Sequence, residues 1–230
     1  MFRLESILPI FSPKIFGFTL NITSSVITQW IVILILGIGA FLLTRNLKLK
    51  EPSKTQAALE KVYQSIRNLS IDTMGEEYES FLPYIGTLMI YLLVLNFLGL
   101  IGVKPPTRDI SVTVSFALVT FLVVNLNAVK KNGIIGYGKG LTHPYLAMLP
   151  INIMERFILP LALSLRLMGN MVAATVVIEL VYEALGHVGM FAQFGLPIFV
   201  HGYFDLFDGT IQMIVFAMLT MINIKVTAEH

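Results

Sequence analysis

The chain has 230 residues, of which 56% are hydrophobic and 13% charged, with a formal net charge of +2. A soluble domain carries roughly 25% charged residues, so this composition and a mean hydropathy of +0.79 read as one compact integral membrane unit. The small, scattered charge excludes a nucleic-acid footprint, and the absence of cysteine excludes disulfides, thiol catalysis and cysteine-based metal sites.

The four histidines show no HExxH spacing, and there is no Walker motif or GxGxxG, so no metal, nucleotide or other cofactor is expected. Residues 1–25, broken by Ser12-Pro13-Lys14 and the Asn21–Ser25 cluster, read as an external N-terminal arm without a cleavable signal. Residues 26–44 are long and apolar enough to span a bilayer, with Trp30 at the interface. Residues 51–72 follow a helical apolar spacing (Leu59, Val62, Tyr63, Ile66, Leu69), which predicts an amphipathic helix. It lies flat on the membrane surface or against a soluble partner.

Further spans are predicted at 81–103, which holds Asn96 and two glycines near its end, and at 110–129. Between them Lys104–Asp109 reverses the chain, and Asp109 is either an N-cap or part of a channel mouth. Lys130–Gly140 reads as a basic, glycine-rich loop at the membrane edge. His143-Pro144 and Pro150 precede a long helix over 151–185, and a second long helix covers 190–226, starting around Gly195-Leu-Pro197. Both exceed the ~20 residues of a perpendicular span, so tilt, a kink at Pro160, or both are expected. The fold class is thus all-α: a polytopic membrane protein with about five spanning helices, one interfacial helix, and a long, tilted last pair.

Arg166 stands about 15 residues inside the 151–185 segment, roughly 22 Å along a helix axis and too deep for easy snorkelling. A cation in that place costs between ~2.5 and ~17 kcal/mol, so it needs an anionic partner or a wet cavity. A structural arginine held by carbonyls is the alternative. On the last helix His201, Asp205, Asp208 and Gln212 recur at i, i+4, i+7 and i+11, a polar stripe on one face, unless Gly202 and Gly209 make the stretch a loop. Glu179 and Glu183 fall in the same half of the membrane as His201 and Asp205, which predicts a shared acidic pocket, while Glu155 lies near the opposite surface. Loops 45–80 and 130–149 with the C-terminus carry ten Lys and Arg, against four on the other side (Arg3, Lys14, Lys104, Arg108). The N-terminus is therefore expected outside and the C-terminus in the cytoplasm.

Ser164-Leu-Arg166-Leu-Met-Gly-Asn170-Met171 resembles the signature of subunit a of F-type ATP synthases. Gly209-Thr-Ile-Gln212 with Phe216-Ala-Met-Leu-Thr220 resembles that family's last helix. Pro106-Thr-Arg-Asp109-Ile-Ser-Val-Thr113 is similar to a third family motif, with Ser111 in place of the usual asparagine. The resemblance covers roughly residues 80–225. It implies a non-catalytic, ion-conducting stator subunit in a bacterial plasma membrane. Its partners would be the rotating ring of c subunits, the peripheral-stalk b subunits and the rest of the complex.

On this resemblance Arg166 separates two offset half-channels, Asn170 and Gln212 orient it, and Asp205 holds the acid seven residues before the glutamine. Thr175 departs from the pattern, because many members carry an acid or histidine there; Glu179, one turn on, is the candidate substitute. Protons are the family's usual coupling ion and sodium the alternative. A self-contained transporter is the rival class, but no internal repeat is visible.

Overall fold

The computed structural model describes residues 14–15, 18–19, 23–48, 53–142, 145–186 and 199–229. Most of the N-terminal arm, His143-Pro144 and the 190–198 start expected for the last helix lie outside these. Within the arm, Lys14–Ile15 pairs antiparallel with Phe18–Thr19. Five helices among the described residues are long and apolar enough to cross a membrane.

Helix α1, Ser24–Thr44, carries no charge and buries only Val32. Tyr91 links it to the bundle, donating to Gln29 Oε1 at 3.5 Å. Helix α2, Lys54–Met74, is amphipathic and starts at Ser53, whose hydroxyl accepts from the Gln56 amide. Its predicted apolar face divides. Ile66 and Leu69 pack on the core, while Val62 and Tyr63 stay about half exposed. Gly75 (φ 94°) ends it in a conformation that only glycine adopts freely.

Helix α3 covers Leu82–Phe97, with Pro83 in the first turn where no donor is lost, and a 3₁₀ turn continues it to Ile101. After a second 3₁₀ turn, Asp109 begins helix α4, Ile110–Thr142: its Oδ1 accepts from the Ser111 amide. That geometry is an N-cap.

Helix α4 departs from the sequence expectation. The loop predicted at Lys130–Gly140 is helical on both sides of a single break at Gly133 (φ 71°, ψ 166°). The break sharply redirects the chain, and Tyr137 folds back so that its hydroxyl donates to Asn125 Oδ1. Tertiary contact therefore overrides the glycine signal.

Helix α5 covers Leu149–Gly186, 38 residues that continue through Pro160 without ending. At 1.5 Å per residue it is about 57 Å long, nearly twice a ~30 Å hydrocarbon core. The last element is helical from residue 199, passes through a π-helical turn, Gly202–Asp208, and runs into helix α6, Gly209–Glu229. The stretch that could have been a loop is therefore helical.

Helix α6 is the centre of the bundle. It packs between α3 and α4, and α4 in turn packs on α5. Ala217, Met221 and Ile224 of α6 are fully buried, against Ile85 and Leu92 of α3 and Ala117 and Val124 of α4. Small residues recur among the buried positions: Ala117, Ala128, Ala174, Ala217 and Ala228 are all at most 3% exposed. In lipid, where apolar surface gains little by hiding, close backbone approach and interhelical hydrogen bonds hold helices together. Thr113 meets Ser164 across α4 and α5 at 3.2 Å, and Tyr84 meets Thr120 across α3 and α4 at 3.2 Å.

The chain has no cysteine, so engineered pairs report cleanly on this packing. Thr113→Cys with Ser164→Cys should oxidise to an intramolecular disulfide, visible on a non-reducing gel. Ser115→Cys, exposed on α4, should not pair with Ser164→Cys. A cross-link in the second pair but not the first would mean that α4 is rotated from this register.

Candidate functional site

Polar side chains gather at three places. The first is the end of the bundle where α3 turns into α4, here called the turn end. Asp205 is 3% exposed, and its Oδ2 lies 2.7 Å from Nδ1 of His201, one turn earlier. The carboxylate lies directly on the Cα of Gly99: a Cβ there would come within 2.5 Å of Oδ1. Gly99 thus makes the space that Asp205 occupies.

Beside it Asn96 is fully buried, donating to the Gly209 carbonyl at 3.0 Å and accepting from the Thr107 hydroxyl at 3.3 Å. Gly209 allows this approach, since an added Cβ would meet Asn96 Cβ at 3.0 Å. Leaving either partner of such a buried pair unmet costs about 1–3 kcal/mol. The π turn aligns the set, because its wider winding carries Asp205 inward towards Gly99 while Gly209 still faces Asn96. Such turns are rare and concentrate at functional sites.

Not every acid predicted for this pocket enters it. Glu179 is 64% exposed and lies 3.9 Å from Nη1 of Arg108, on the turn between α3 and α4. Glu183 is exposed on α5. Tyr182 is the α5 residue that faces His201, with ring centroids 6.0 Å apart. Thr175 spends its hydroxyl on the Met171 carbonyl of its own helix, at 2.8 Å. The structure thus brings His201 and Asp205 together and keeps Glu179 and Glu183 at the rim. Asp208 and Gln212 lie within reach of each other further along the last element, Gln212 buried and Asp208 half-buried.

The second place is the outward face of α5. Arg166 is exposed there and makes no hydrogen bond or ion pair among the described residues. Exposed apolar residues surround it on α5: Ile158, Leu161, Leu165, Val177 and Leu180 are each 39–56% exposed. Asn170, one turn on, is half-buried. Ser164 and Leu167 point the other way, into the bundle. A guanidinium on an apolar face cannot be satisfied by lipid, and among the described residues no carboxylate pairs with it.

The third place is the opposite end, where α6 terminates, here called the terminal end. Glu155 is exposed there, and its neighbour Arg156 turns inward. Nη1 of Arg156 donates to Asn125 Oδ1 at 3.2 Å, and its guanidinium lies 4.4 Å from the centroid of the Tyr137 ring.

Asn96, Gly99, Thr107, Arg108 and Arg156 are site residues that motif reading does not assign. Asn96 had a signal, as an amide alone in an apolar run. Gly99 had none, since its importance depends on a residue more than a hundred positions away.

The family model described as ATP synthase A chain matches residues 26–225. The chain is 34% identical over 227 residues to the protein of Propionigenium modestum described as ATP synthase subunit a, sodium ion specific, covering 92% of this chain and 75% of that one. It is 34% identical over 201 residues to ATP synthase subunit a of Moorella thermoacetica, covering 87% and 88%. It is 31% identical over 210 residues to ATP synthase subunit a 1 of Crocosphaera subtropica, covering 89% and 86%.

Gly99→Ala should displace the Asp205 carboxylate and lower ATP synthesis by the host complex about tenfold, the rate equivalent of ~1.4 kcal/mol. Gly86→Ala is the control, because its Cβ would meet only Ile66 Cγ2 at an ordinary 3.8 Å. Equal rates in the two variants would remove the Gly99–Asp205 contact from the working site.

Proposed function

The chain belongs to the ATP synthase A chain family, and on that premise we propose that it conducts ions through two offset half-channels beside a rotating ring of c subunits. As a multi-pass membrane protein of the ATP synthase complex, it works with partner subunits that carry the chemistry of ATP formation. The observation that carries the reading is Arg166. It stands near the middle of α5, faces out of the chain on an apolar surface, and has no counter-ion among the described residues.

The missing anion is a ring carboxylate. Neutral and loaded with its ion, such a group crosses lipid at low cost; ionised, it does not. Burial alone raises a carboxyl pKa by up to ~3–5 units. A guanidinium ~4 Å away at an effective dielectric of about 20 contributes ~4 kcal/mol, about three units in the other direction. Arg166 therefore holds the passing carboxylate ionised and releases its ion. The same charge repels any cation that tries to cross directly between the half-channels. Arginine suits the task because it stays charged where a buried lysine loses its proton.

The turn end supplies the outer half-channel. His201, Asp205 and Asp208 hand the ion inward past Asn96 and Thr107. Glu179, with Arg108 and Glu183, forms a charged rim that gathers cations and replaces the acid missing at Thr175. Asn170 and Gln212 orient Arg166 and the ring carboxylate. Glu155 marks the inner exit. By the distribution of Lys and Arg, the turn end and the N-terminus face outward and the terminal end faces the cytoplasm of a bacterial cell. Peripheral-stalk b subunits hold the assembly against the ring. Protons are the coupling ion in this reading.

The test is ATP-driven ion uptake into inverted vesicles that carry the whole complex, with and without sodium. Arg166→Ala should abolish uptake while the complex still assembles. Normal uptake would reduce Arg166 to a structural residue. Uptake that requires sodium in the wild type would reassign the ion. Glu179→Gln should slow coupled uptake several-fold, and an unchanged rate would remove Glu179 from the rim.

A further inference from the structure

The buried interface between α4 and α5 is unusually polar for a membrane bundle. Along α4 from the turn end stand Asn96 of α3 with Thr107 of the turn, then the Thr113–Ser164 pair across α4 and α5, then Thr120, which meets Tyr84 of α3, and beyond it a small cavity near the terminal end. Asn96, Thr107, Thr113, Thr120 and Ser164 are all at most 2% exposed. The cavity has a volume of about 20 Å³, room for a single water. Its polar lining is Thr120, Asn125, Arg156, Asn223 and Thr227, and Pro160 is among its apolar lining. Pro160 has no amide hydrogen, so the Arg156 carbonyl four residues earlier loses its helical donor and adds a free acceptor there. This column lies on the inward side of α5, the side away from Arg166. An ion that moved along it would bypass both Arg166 and the ring.

Arg156 is the one cation lining that cavity. Among the described residues no carboxylate lies within ion-pairing distance of it. Glu155, next to it in sequence, is exposed on another face of α5. Among the described residues neutral groups hold the guanidinium: the Asn125 amide oxygen and the face of Tyr137. Tyr137 reaches this position because Gly133 turns the end of α4 back onto the bundle. A cluster that served stability alone would gain from a carboxylate here; this one keeps its positive charge whole.

We propose that Arg156, latched by Tyr137 and Asn125, is a second electrostatic barrier that seals the polar column between α4 and α5 against cation leak past the ring. The inference rests on the ion-conducting reading above. A fixed, unneutralised positive charge at a narrow wet constriction excludes protons and metal cations alike. The two arginines then have separate tasks: Arg166 guards the face towards the ring, and Arg156 guards the interior of the subunit.

The experiment measures passive ion flux into vesicles that hold the whole complex without nucleotide, before and after a hydrophobic carbodiimide that blocks the ring carboxylates. R156Q should raise the flux about tenfold or more, and the added flux should survive the carbodiimide because it does not use the ring. Asn223→Asp leaves Arg156 in place but puts a neutralising carboxylate in the cavity. It should leak like R156Q, and it keeps the test open if R156Q does not assemble. Wild-type flux in assembled R156Q and Asn223→Asp complexes would overturn the proposal, as would added flux that the carbodiimide abolishes. Arg166→Ala run in parallel separates the two ideas. Retained pumping there would defeat the half-channel reading, whereas a tight R156Q complex beside a dead Arg166→Ala complex would defeat only the second barrier.

Discussion

Lipid offers no hydrogen bonds, and the structure follows from that constraint. Each polar group inside the bundle must meet another polar group, a ligand or water, or it costs several kcal/mol. Thr113 meets Ser164, Tyr84 meets Thr120, and Asn96 meets both Gly209 and Thr107. These pairs tie together helices that apolar contact alone would hold loosely in lipid. Among the described residues Arg166, on the outward face of α5, makes no hydrogen bond or ion pair, and inside the bundle Ser70 Oγ, Arg108 Nη1 and Thr220 Oγ1 also lack a hydrogen bond.

The central position of α6 follows from the same constraint. It is flanked by α3 and α4, so its polar stripe has walls on two sides. Asp205 uses the wall of α3, where Gly99 leaves a place for it. Helix α5 stands beyond α4 and meets the last element at Tyr182 and His201 and, at the other end, around the cavity lined by Arg156 and Asn223. The arrangement keeps one face of α5 free along most of its length, and that face is the one Arg166 occupies.

Much of this was legible in the sequence, for local reasons. Apolar runs of spanning length mark the five long helices, and a guanidinium inside such a run marks Arg166 without any knowledge of its neighbours. The face shared by His201, Asp205 and Gln212 follows from helical spacing, although the π turn sets its final alignment. Long-range pairing was not legible. Asn96 and Gly209 are 113 positions apart, and neither residue announces the other. The helical return after Gly133 was hidden for a related reason. Four glycines in Lys130–Gly140 argue for a loop, and the contacts that overrule them, from Tyr137 to Asn125 and Arg156, come from elsewhere in the chain. The acidic pocket was read too broadly. Helical position puts Glu179 and Glu183 at the right depth, but the azimuth that turns them to the rim depends on how α5 packs.

Among the described residues helix α1 buries only Val32, and its polar contact with the bundle is one long hydrogen bond, from Tyr91 to Gln29, beside packing on α3 and on the turn before α4. Its hold on the membrane therefore owes little to its siblings. During biosynthesis it can leave the translocon and settle in the bilayer before any later helix exists. Helices α3 to α6 carry buried amides, hydroxyls and charges that are tolerable only in one another's company, so they have reason to be retained until they can dock together. The chain thus divides into a self-sufficient anchor that fixes orientation early and a group of four helices whose insertion is a collective event.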